Sequence, residues 1–74
     1  MRQTIRLEVV PFASKWNITE RGIGRLSTHP TMAAAKEAAR AIANLHTPSQ
    51  LIIRNEKGEI EEEINYAKRP NPSP

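Results

Sequence analysis

Residues 31–45, TMAAAKEAARAIANL, constrain the fold of this chain more than any other stretch. Alanine is the strongest helix former. Thr31 is placed to cap the helix, because its hydroxyl can accept a backbone N–H that the first turn leaves unpaired. The spacing predicts a helix over Met32–Leu45, ended by Thr47-Pro48-Ser49. Ala35, Ala38, Ala39, Ile42 and Ala43 follow the i, i+3, i+4, i+7, i+8 rule of a buried stripe. Such small side chains let a helix lie close against a sheet. The rest of the chain must supply that sheet.

Five runs have the pattern to do so. From Thr4 to Pro11, Ile5, Leu7 and Val9 alternate with Arg6 and Glu8. Pro11 has no N–H to donate and belongs at a strand end or on an edge. Phe12 to Ser14 read as a turn. Lys15–Arg21 form a second strand, with Trp16 and Ile18 on one face and Lys15, Asn17, Thr19 and Arg21 on the other. Gly22 and Gly24 flank Ile23 in a tight connection that calls for positive φ. Arg25–His29 form a short third strand with Leu26 as its main apolar side chain. Beyond the helix, Gln50–Arg54 form a fourth strand and NEKG a hairpin turn, with Gly58 at the positive-φ position. Glu59–Tyr66 form the fifth strand, Ile60, Ile64 and Tyr66 sharing a face opposite Glu59, Glu61, Glu63 and Asn65. The predicted class is therefore α+β, with element order β-β-β-α-β-β. Its expected form is a curled antiparallel sheet with one helix packed on one face. The other face is expected to be open or covered by a second copy. Residues 1–68 are read as a single domain and RPNPSP, residues 69–74, as a disordered proline-rich tail.

Seventy-four residues suffice for one small domain, and a fold of that size buries only about 60% of its unfolded surface. The chain has no cysteine, which excludes disulfide staples, thiolate zinc sites and Cys nucleophiles. No run has the length or apolarity of a signal peptide or a membrane span, so a cytoplasmic protein without a membrane partner is expected. The formal net charge is +3, which permits a polyanionic partner without requiring one. Residues 1–40 carry seven basic and three acidic side chains, the remainder four and five. The chain is electrically two-sided.

Catalysis needs a nucleophile, an acid–base pair, a metal or a cofactor. His29 and His46 fall at opposite ends of the predicted helix, about 25 Å apart at 1.5 Å per residue, too far to share a metal. The cluster EIEEEI points Glu59, Glu61 and Glu63 one way and Glu62 the other. With no Asp in the chain, it reads as a solvated acidic edge strand that discourages aggregation. Gly22-Ile23-Gly24 is too short for a phosphate-cradling loop. No catalytic, metal-ligating or cofactor-binding residue is assigned, and the protein is expected not to be an enzyme. Trp16, beside Ile18 in a chain poor in aromatics, reads as a core anchor whose loss would cost about 3–5 kcal/mol. The one functional pattern is the polar face of the first three strands, where Arg6, Lys15, Asn17, Arg21 and Arg25 can point away from the helix.

VVP closing strand one, a Trp in strand two, the Thr-capped TMAAAKEAARAIAN helix, LIIRNEKGEI and a closing Tyr and Pro together resemble a bacterial family, domain of unknown function 2188. The resemblance runs from about Val9 to Pro70 and rests on order and spacing rather than on one motif. Members often have glycine just before the Trp, where this chain has Ser14-Lys15, so the first hairpin turn is built differently here. The resemblance implies the same fold and carries no activity, cofactor or catalytic residue with it. The expected function is a binding module with an unknown protein partner or a second copy of itself. The alternative is DNA binding through the basic face of the first three strands, with Lys and Arg on phosphates. Short proteins of this build also recur as accessory or phage-borne modulators.

Overall fold

β1 (Ile5–Phe12) and β4 (Ser49–Arg54) lie side by side and parallel, from Ile5↔Ser49 to Val9↔Ile53. Around this pair the computed structural model, which describes residues 4–67, arranges β2 (Lys15–Glu20), β3 (Gly24–His29) and β5 (Ile60–Tyr66). The strand order is β3-β2-β1-β4-β5. α1 (Met32–Leu45) crosses one face between β3 and β4. The element order is the expected β-β-β-α-β-β and the class α+β. The sheet, however, is mixed rather than antiparallel. Two tight turns make β1, β2 and β3 antiparallel neighbours. The helical crossover then carries the chain back across the sheet, so β4 starts at the same end as β1 and runs with it. The tail expected at 69–74 lies outside the described residues.

The core sits between α1 and the three middle strands. Leu7, Val9, Ile18, Leu51 and Ile53 meet Ala35, Ala39 and Ala43, all fully buried. The Thr31 hydroxyl accepts from the Ala34 N–H at 3.1 Å, as a cap should. At the other end the buried Ser49 hydroxyl donates to the Ala43 carbonyl at 2.8 Å, which also accepts from the His46 N–H, so β4 is tied to the last turn of α1. Lys36 and Glu62, 2.8 Å apart, tie the helix to β5. The hydrogen bond from Lys36 holds the Glu62 carboxyl below its ordinary range, against a smaller opposing effect of burial, with Arg40 adding a weaker pull.

Element boundaries fall within about a residue of expectation, and three local departures have clear causes. Phe12 pairs with Lys15, so the first turn is only Ala13-Ser14. Ala13 sits at φ 55°, where the Cβ of an L-residue crowds the following carbonyl at a cost of roughly 1–2 kcal/mol. Ala13→Gly is expected to raise stability by about 0.5–1 kcal/mol, or a few degrees in melting temperature. A melt that moves down, or not at all, would contradict the strain. Second, β5 is irregular: Ile53 pairs with Glu62 but Arg54 with Ile60. This bulge turns Ile60 off the face of Ile64 and Tyr66 and leaves it exposed. Third, β3 has a matching bulge, Ile18 opposite Ser27 but Thr19 opposite Arg25. Pro11 lies past Val9↔Ile53, the last β1–β4 pair, and so deletes no bond to β4.

Candidate interaction surfaces

The sheet face away from α1 departs most from expectation. Ile52 lies on it, with Glu8 and Glu63 as cross-strand neighbours, and is 0% exposed. Polar side chains of the same face close over it. Arg54 Nε donates to Glu8 Oε1 at 3.0 Å, and Arg54 Nη1 to the Gly58 carbonyl at 2.9 Å. Arg6 reaches the other Glu8 oxygen at 3.7 Å. Gln50 Nε2 donates to Glu63 Oε2 at 2.8 Å. Charged and polar arms thus cover the middle of this face, their stems lying over Ile52, while Phe12 and Ile60 on the same face remain exposed.

That network decides what becomes of the five residues singled out above. Arg6 is held by Glu8. Asn17 is buried and accepts from the Thr28 hydroxyl at 2.7 Å. Lys15 is exposed at the β1–β2 hairpin end. Arg21 and Arg25 are exposed at the opposite end of the sheet. There the Arg21 N–H donates to the Arg6 carbonyl, and the two side chains share a hollow with Glu20 and Gln50. The structure brings Arg6, Arg21 and Arg25 to one end, sets Lys15 about 20 Å away at 3.3 Å per strand residue, and uses Asn17 internally.

Both sheet edges are blunted. β3 and β5 each carry a bulge, and β5 presents Glu59, Glu61 and Glu63 around its start. Charges and bulges on edge strands oppose pairing with another strand. His29 bonds Ser27 at 2.9 Å, and His46 forms the exposed C-cap of α1. Among the described residues no group of three His, Cys, Asp or Glu side chains is placed to hold a metal. Among the described residues no helix is long and apolar enough to cross a membrane.

The family described as uncharacterized protein conserved in bacteria (DUF2188) matches residues 7–66. The chain belongs to the DUF2188 family. The match spans all of the sheet except the first residues of β1, and the whole of α1. No curated protein and no solved structure matches the DUF2188 chain.

The outer face of α1 in this DUF2188 domain carries a feature the sequence reading passed over. Ala34, Ala38, Ala41 and Leu45 are spaced 4, 3 and 4 apart and fall within an arc of about 60° on the helix. Ala34 and Ala41 are exposed, Ala38 is half-buried, and Leu45 is 80% exposed. Glu37 and Arg40, both exposed, run along one side of this seam. Only Ala38 is shared with the inner stripe, but in a helix this rich in alanine the inner stripe masks a second one.

Proposed function

We propose that the protein works by association rather than catalysis, pairing with a second copy of itself through the outer face of α1. Leu45, 80% exposed at the end of an alanine seam, carries this reading. A two-fold axis through the middle of the seam sets Leu45 of one copy against Ala34 of the other, and Ala38 against Ala41. The largest side chain then meets the smallest seat, and alanines let the helices approach closely. The same axis sets Glu37 beside Arg40 of the other copy, twice, so the flanking charges are complementary to themselves. Because the seam is only about 16 Å long at 1.5 Å per residue, the interface is small and the dimer concentration-dependent. Among the described residues Leu45 is the most exposed large apolar side chain, ahead of Ile23, Phe12 and Ile60. Light scattering across a concentration series should move from the 8.3 kDa chain mass toward twice that value. A mass that stays monomeric at millimolar protein would end the proposal.

A second reading is DNA binding, supported by the gathering of Arg6, Arg21 and Arg25 at one end of the sheet. Phosphate contacts by these side chains would make affinity fall steeply between low and physiological salt. Arg21→Glu with Arg25→Glu should abolish binding to duplex DNA in a fluorescence titration. An unmodified protein that binds no DNA at low salt would dismiss this reading.

A further inference from the structure

Trp16 has two roles in this fold. It packs against the core cluster, yet it is only partly buried and forms part of the wall of a hollow of about 580 Å³. Clefts for small ligands run from roughly 300 to 1,000 Å³. Pro30 and Met32 add apolar surface on the α1 side, while Glu56, Glu59 and Glu61 line the side made by the β4–β5 hairpin. None of these three carboxylates forms an ion pair with a cation among the described residues, although Glu59 accepts a hydrogen bond from the Asn55 amide at 3.2 Å. The hairpin holds them in place. Asn55 Oδ1 accepts from the N–H groups of Lys57 and Glu59 at 2.8 and 3.0 Å, and Gly58 N–H donates to the Asn55 carbonyl at 2.9 Å.

Lys57 also lines the hollow, and the N-terminus of α1 adds about half a positive charge. The balance is still negative, in a protein whose formal net charge is +3. An aromatic wall beside unpaired carboxylates is the chemistry that receives an organic cation. Among organic cations a guanidinium fits best. It is flat enough to stack on an indole, forks onto carboxylates, and sheds water more readily than an ammonium.

We propose that the hollow between Trp16 and the Glu56–Glu61 hairpin binds a guanidinium group, from an arginine side chain of a partner protein or from a small free guanidine. This site is separate from the outer face of α1 and does not depend on self-association.

The indole reports directly on occupancy. Titration with acetyl-Gly-Arg-Gly-amide, and separately with ethylguanidinium, should give a saturable change in Trp fluorescence in the millimolar range. Acetyl-Gly-Gln-Gly-amide should give none. Tighter binding of the peptide identifies a protein source, and equal binding a free guanidine. The double variant Glu59→Gln, Glu61→Gln should weaken binding about tenfold, the loss expected when a charge-assisted hydrogen bond becomes neutral. Both residues are exposed, so its circular dichroism should match that of the parent. Absence of a saturable response to either guanidinium, or an equal response in the double variant, would overturn the proposal.

Discussion

Ile52→Ala should lower the stability of this domain by about 2–4 kcal/mol, the cost of emptying a fully buried aliphatic site. For a domain of this size that corresponds to a fall of very roughly 10–25 °C in melting temperature. The expectation is specific because Ile52 lies on the sheet face that no helix covers, where a solvated position would give a change within about 0.5 kcal/mol. The difference comes from neighbouring side chains. Glu8 and Glu63 flank Ile52 across the strands, Gln50 and Arg54 lie two residues away on the same face, and each is drawn toward another by a hydrogen bond. Burial in this fold is thus built partly from the aliphatic stems of charged residues. A thermal melt followed by circular dichroism decides the matter, and a shift of a degree or two would mean that the face is wet after all.

The second large effect concerns Leu45. In the two-fold pairing of α1, Leu45→Glu removes two buried leucines from each dimer and sets a carboxylate into each alanine seat. At about 1.5–3 kcal/mol per buried leucine, the dissociation constant should rise by at least a hundredfold. Folding should be unaffected, since the side chain is 80% exposed in the single chain. Sedimentation equilibrium of parent and variant at matched concentration separates the two contributions. A parent dimer that persists unchanged in Leu45→Glu would place the interface elsewhere. Exchanging both flanking charges, Glu37→Arg with Arg40→Glu, should leave most of the pairing intact, whereas Glu37→Arg alone should weaken it, because only the double exchange keeps opposite charges opposed across the two-fold axis.

Much of this fold is legible in residue order. The alanine helix and its Thr31 cap, the five strands and the positive φ of Gly22, Gly24 and Gly58 follow from local chemistry, which acts over a few residues. What stayed hidden depends on neighbours distant in the chain. The parallel pairing of β1 with β4 had one local signal, the unbroken apolar run Leu51-Ile52-Ile53, which marks a strand buried on both faces. Alternation in β5 placed Ile60 with Ile64, and a bulge at Glu61 overrode it. Among the interaction residues, Arg6 has Glu8 two residues away on the same strand face, a relation that alternation alone shows. Asn17, by contrast, reads as available because its partner Thr28 meets it only through the pairing of β2 with β3. Arg54, which joins β4 to Glu8 and to the hairpin at Gly58, was unreadable for the same reason.

The pairing of β1 with β4 also bears on how the molecule comes into being. Ile5 and Ser49 are ladder partners 44 positions apart, and such distant pairings slow folding because a long loop must close first. During synthesis the β1–β2–β3 meander and α1 emerge before β4 exists. Until then β1 exposes the unpaired edge of what becomes a central strand, and the alanine stripe of α1 has only half a sheet to rest on. The nascent chain therefore passes through a stage in which sticky backbone is uncovered, and it leaves that stage only when Leu51, Ile52 and Ile53 clear the ribosome. A chain cut short before β4 should be prone to aggregation and a ready substrate for chaperones and proteases.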